Sequence, residues 1–90
     1  MTRVHFVGVH AAAAAALLGD GATYDGPEPP EAVAEALDEL EVGPAPRAAA
    51  RPDERVVDTA AWGLPEPVGL CLEEARELCA AIRLRLDVLP

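Results

Sequence analysis

Six consecutive alanines, residues 11–16, stand directly behind the run Arg3-Val4-His5-Phe6-Val7-Gly8-Val9-His10. That junction limits the fold of the chain more than any other stretch. Residues 3–9 hold no turn former before Gly8, the pattern of a strand buried on both faces of a parallel sheet. Alanine is the best helix former, and the run closes with Leu17-Leu18 and then Gly19-Asp20-Gly21. The stretch therefore reads strand, tight turn, helix, with the turn over residues 8–11. In α/β proteins ligands sit outside the carboxyl ends of the strands. Backbone N–H groups at a helix start favour an anion there.

The remaining segments continue the alternation. Ala22-Thr23-Tyr24 reads as a short second strand, and Asp25-Gly26-Pro27-Glu28-Pro29-Pro30 as a stiff loop. A second helix starts at Pro30 or Glu31, with Val33, Ala36, Leu37 and Leu40 on one apolar stripe and Glu31, Glu35, Asp38 and Glu39 off it. Gly43-Pro44 is expected to stop it. Residues 44–55 read as a loop with one helical turn at 47–50, and residues 55–60 as a third strand. Trp62 is expected to anchor the following loop into the core. A third helix is expected over residues 70–87, with Cys71, Ala75, Leu78, Cys79, Ile82 and Leu86 along one side. The expected fold is one α/β domain over residues 1–90: a small three-layer parallel sheet of about three strands with covering helices.

Composition excludes several functions. Sixteen acids against seven arginines, with no lysine, give a net charge of −9. No basic cluster exists to hold nucleic acid or an anionic membrane surface. The apolar stretch of residues 4–18 is too short and too glycine-interrupted to span a bilayer. No targeting segment is evident, so a cytoplasmic location is expected. Eight residues of helix rise about 12 Å, so Cys71 and Cys79 are expected to be buried thiols, not a disulfide.

Alternation along the first strand puts His5, Val7 and Val9 on one face and Val4, Phe6, Gly8 and His10 on the other. The two histidines therefore cannot form a joint metal site, and no metal or cofactor is expected. His5 is read as a core-edge histidine with a local hydrogen bond. His10, at the strand's end, is either a cap or solvated turn residue or a ligand contact. The acids of the second helix are read as a solvated face.

Two blocks together resemble the low-molecular-weight protein tyrosine phosphatases and, more closely, the related arsenate reductases. The first is Val4-His5-Phe6-Val7-Gly8-Val9-His10 with the alanines and Leu17-Leu18. The second, more specific, is Trp62-Gly63-Leu64-Pro65-Glu66-Pro67-Val68-Gly69 before the last helix. Gly26-Pro27-Glu28-Pro29 and the second helix resemble the family's Gly-Thr-Glu-Pro and the helix behind it. The resemblance implies a reduced phosphatase-like fold. Gly8 stands where the family has its nucleophilic cysteine, and no arginine occurs between Arg3 and Arg47 to clamp an anion. The loop is about four residues shorter than the family's. Glu66 matches the family's general-acid aspartate. A middle strand and its loops have no counterpart here.

Attack on phosphorus needs a thiolate and a guanidinium for the equatorial oxygens, so phosphatase and arsenate reductase activity are expected to be absent. The first functional expectation is a non-catalytic binding or assembly protein with a small-molecule or protein partner. A thin core and an open sheet edge would favour a homodimer. The alternative is a small enzyme with a rebuilt site. In it His10 and Glu66 act as general base and acid on a small metabolite. Gly8, Val9, His10, Ala11 and Ala12 would line that mouth, with Tyr24 and Trp62 on the pocket walls. A generic α/β domain with no inherited site is the third reading.

Overall fold

The computed structural model describes residues 3–89. Its elements are β1 (Val4–Val7), α1 (Ala11–Leu18), β2 (Thr23–Asp25), α2 (Glu31–Glu39), β3 (Arg55–Asp58), a 3-10 turn (Thr59–Trp62) and α3 (Leu72–Asp87). The three strands form one parallel sheet in the order β2-β1-β3; α1 packs on β1 and β2, and α2 and α3 pack on α1 and on each other. His5 pairs in register with Thr23 and Val56, Phe6 with Tyr24 and Val57, and Val7 with Asp25 and Asp58. The small parallel α/β fold expected from the alternation is the one observed.

The alanine run explains how so short a chain closes a core. α1 contacts β1 and β2, and it contacts α2 and α3 as well. Its six alanines are all buried. With only methyl side chains, this helix lets sheet and outer helices approach from several directions. Larger side chains supply the apolar volume around it: Phe6, Tyr24, Val33, Leu37, Leu78 and Ile82. A fully buried Phe6 or Ile82 contributes about 1.5–3 kcal/mol relative to exposure. Trp62, half-buried at the end of the 3-10 turn, sets its ring edge-on to Phe6 at a centroid distance of 6.2 Å. It is the anchor its sequence position suggested.

Several boundaries differ from the sequence reading. β1 stops at Val7 because Gly8 turns the chain with φ +103°. The third strand ends at Asp58, where the 3-10 turn begins. α2 ends at Glu39, before Gly43-Pro44. Glu41 takes the left-handed conformation at φ +59°. The Glu41 N–H donates to the Asp38 carbonyl (3.0 Å) and the Val42 N–H to the Leu37 carbonyl (3.4 Å). This is a Schellman ending with glutamate in glycine's usual place. Leu40 thereby leaves the apolar stripe and is 42% exposed.

No helical turn forms at residues 47–50. The Tyr24 N–H donates to the Pro46 carbonyl and the Ala48 N–H to the Tyr24 carbonyl, a parallel bridge on the outer edge of β2. Pro46 and Pro52 disfavour the helical region for their predecessors, and β2's open edge offers a donor and an acceptor.

Cys71 lies outside α3, as its exposed N-cap. The Glu74 carboxylate accepts from the Cys71 N–H at 3.0 Å, satisfying one free donor of the helix start. Cys71 is therefore not part of the buried row, which consists of Ala75, Leu78, Cys79 and Ile82 with Leu86 half-buried. Among the described residues, no helix is long and apolar enough to cross a membrane.

Candidate functional site at the strand tips

Three loops leave the carboxyl ends of the three strands, and each brings a residue to the same place. Gly8 follows β1, Gly26 follows β2 and Thr59 follows β3. The connections from β1 and β3 meet where an open α/β sheet has its binding crevice. Here that crevice is filled. Thr59 is fully buried. Its hydroxyl donates to the Val7 carbonyl at 2.8 Å and accepts from the His10 N–H at 3.3 Å. One side-chain hydroxyl thus stabilises the last carbonyl of β1 and an N–H at the mouth of α1.

The backbone leaves little room around it. A Cβ on Gly8 would stand 2.5 Å from Thr59 Oγ1, and Gly8 has φ +103°. A Cβ on Gly26 would stand 2.9 Å from the Gly8 carbonyl oxygen, and Gly26 has φ +150°. That carbonyl also accepts from the Ala11 N–H at 3.2 Å, closing the turn into α1. Thr59 is held by the turn behind it, where the Asp58 carboxylate accepts from the Ala60 N–H at 2.9 Å.

Electrostatics at the tips oppose an anion. Asp25 and Asp58 flank Val7 in the sheet register, and both are exposed. Two strand spacings put them about 10 Å apart across β1. The N–H dipoles at the α1 start therefore face a rim that carries negative charge.

The sequence-derived site residues separate into groups. Gly8, His10 and Ala11 belong to this turn, while Val9 points out and is 43% exposed. His10 is 3% exposed, so it is not a solvated turn residue; it occupies the N-cap position of α1, but its side chain makes no capping bond. Its Nε2 is buried and unpartnered. Ala12 and Tyr24 meet elsewhere, in a cavity between α1 and α2. Trp62 stands against Phe6. Glu66 lies exposed on the loop before α3.

The sequence reading missed Thr59, which it took into the third strand of residues 55–60; the strand ends at Asp58, and Thr59 opens the turn behind it. It also missed a second polar chain, on the other histidine. His5 is fully buried, and its Nδ1 lies 2.7 Å from Thr23 Oγ1. The Thr23 hydroxyl donates to Glu54 Oε2 at 3.3 Å, and Glu54 Oε1 accepts from the Arg51 N–H at 2.8 Å. Because the threonine's proton goes to Glu54, the network assigns the His5 proton to Nδ1. His5 Nε2 is left buried without a partner.

Among the described residues, no three His, Cys, Asp or Glu side chains gather as a metal site would require. Comparison with protein-family models, with curated proteins and with solved structures finds no match.

Proposed function

We propose that the chain is a non-catalytic, phosphatase-like binding or assembly protein, related to the low-molecular-weight phosphatases and arsenate reductases by its two sequence blocks. The observation that carries this reading is the Gly8–Thr59 approach. A hydroxyl stands 2.5 Å from where a side chain at the family's nucleophile position would begin. The glycine turn into an alanine helix and the tryptophan loop before the last helix support the relationship. The carboxylates of Asp25 and Asp58 beside the tip agree with the loss of phosphate binding.

Self-association as a homodimer fits the apolar surface that remains. Val56 on the terminal strand β3 is 53% exposed, and Leu84 and Val88 on and beside α3 are 68% and 75% exposed. The two free thiols fit a reducing, cytoplasmic setting.

Two measurements test the proposal. The purified chain is expected to leave p-nitrophenyl phosphate and arsenate unchanged; robust turnover of either would overturn the non-catalytic reading. Light scattering should give twice the chain mass at micromolar concentration, and a monomer at high concentration removes the homodimer.

A further inference from the structure

A cavity of about 160 Å³ lies away from the strand tips, between α1, α2 and the strap that follows α2. Ala12 and Ala16 of α1 form its floor with one turn between them. Leu37 and Asp38 of α2 form one wall, Tyr24 of β2 another, and Pro44 belongs to the strap. The Schellman ending at Glu41 turns the chain behind α2, and Val42 and Pro44 beyond it join the lining.

The dimensions and the chemistry point the same way. An apolar cavity of about 150 Å³ holds a benzene ring. The lining is almost wholly apolar, with two polar exceptions. Tyr24 is 7% exposed and belongs to the lining. Asp38 is exposed at the rim. A tyrosine ring and an aspartate carboxylate both attract a cation, the first through its π face and the second through its charge. Among the described residues, no arginine or histidine lines the cavity to neutralise an acid. The net charge of −9 favours a cation further.

We infer that this cavity is a binding site for a small monocyclic amine, with the ring between Ala12, Ala16 and Leu37 and the ammonium toward Asp38 and Tyr24. This site is independent of the strand tips and of the phosphatase-like reading. A ligand of about eight non-hydrogen atoms at an efficiency of about 0.5 kcal/mol per atom would bind in the millimolar range.

The test is amide chemical-shift titration of the full labelled chain with benzylamine, benzyl alcohol and benzoate. Benzylamine and benzyl alcohol should shift the amides of Ala12, Ala16, Tyr24, Leu37 and Val42. Benzylamine should bind roughly fivefold tighter than the alcohol, and benzoate should leave these amides in place. Asp38→Asn should bring the amine down to the alcohol's affinity, while Glu35→Gln on the same helix should not. Ala34→Leu, which adds bulk to the half-buried wall residue of α2, should remove binding of both. If that variant fails to fold by circular dichroism, the wild-type panel and Asp38→Asn decide alone. Benzoate binding as well as benzylamine would overturn the inference. So would shifts confined to the outer acids of α2, or no shifts up to about 20 mM benzylamine.

Discussion

The hydroxyl of Thr59 and the α-carbon of Gly8 exclude any side chain between them: a Cβ at Gly8 would lie 2.5 Å from Thr59 Oγ1. That contact comes from two loops 51 residues apart in the chain, joined because β1 and β3 are neighbours in the sheet. The hydroxyl bridges the Val7 carbonyl and the His10 N–H, so the turn that could have received a ligand is closed by the protein's own polar group. The consequence is structural. Backbone groups that are costly to leave unpaired are satisfied without a bound anion.

Gly8→Cys is therefore expected to destabilise the chain and not to create a nucleophile. The left-handed backbone costs about 1–3 kcal/mol for a side-chain-bearing residue, and overpacking against Thr59 adds about 1–3 kcal/mol. Thr59→Ala alone should cost about 1–3 kcal/mol by leaving Val7 O and His10 N unpaired. The double variant should lose less than the sum, because the clash is removed with the methyl and hydroxyl. Urea midpoints of the four proteins decide this, and strict additivity would show that the two residues do not press on each other.

Glu41→Gly should stabilise the chain by roughly 0.5–1 kcal/mol. Glu41 holds φ +59°, a conformation that glycine adopts without strain and that ends α2. Its N–H bond to the Asp38 carbonyl is backbone to backbone and survives the change. A lowered melting temperature would mean that the glutamate side chain contributes something the Schellman geometry does not.

The two thiols should react at very different rates. Cys71 is exposed at the N-cap of α3, whereas Cys79 is buried in the core, and burial pushes its thiol pKa up, with Arg83 opposing. Only the thiolate reacts. A disulfide reagent at neutral pH should modify Cys71 at once and Cys79 only in denaturant. Simultaneous modification of both in the native protein would contradict the packing of Ala75, Leu78, Cys79 and Ile82 as one buried row.

The legible and illegible parts of the sequence differ in what fixed them. β1, α1 and the buried faces of α2 and α3 are set by local periodicity, so Val33, Ala36, Leu78, Cys79 and Ile82 could be placed inside from spacing alone. Leu40 obeyed the same spacing but lost its place to a backbone ending, because nothing in Leu-Glu-Val marks glutamate as the left-handed residue. Residues 46–48 carry no strand signal and are extended because β2 offers them partners. Gly8 was conspicuous in the sequence, but its necessity lies in Thr59, whose approach depends on strand order. The His5–Thr23–Glu54 chain was hidden for the same reason: it joins residues from three strands or their flanks through the sheet register.

Acid should loosen the packing of α3 before it affects the alanine core. Glu39 accepts hydrogen bonds from the Arg76 guanidinium at 2.6 and 2.7 Å, and that bonding holds its carboxyl below the usual 4.5. The Cys71 backbone N–H lowers Glu74 in the same way. Both groups have folded pKa values below their unfolded ones. Their stabilisation is thus complete above about pH 4.5 and is lost as pH falls through the lower folded values. Both sites are exposed, so each contribution is small and screened by salt. Melting curves between about pH 3 and pH 6 should show the acid-side slope becoming shallower in Glu39→Gln and shallower again with Glu74→Gln. An unchanged slope would place the acid sensitivity elsewhere.

The buried histidine makes the sharpest test of the sheet register. Thr23→Val removes the oxygen 2.7 Å from His5 Nδ1 and leaves a fully buried imidazole whose Nε2 already lacks a partner. Two unsatisfied nitrogens in one buried ring should cost about 1–3 kcal/mol beyond the lost contact. Glu54 tolerates the change better, because it is only half-buried and still accepts from the Arg51 N–H. Replacing both partners by apolar groups, His5→Phe with Thr23→Val, removes the unpaired nitrogens together with the hydroxyl. The double variant should therefore be more stable than Thr23→Val alone. That ordering requires His5 and Thr23 to lie side by side on one face of the parallel β1–β2 pair. A one-residue slip would put them on opposite faces, and the two substitutions would then simply add.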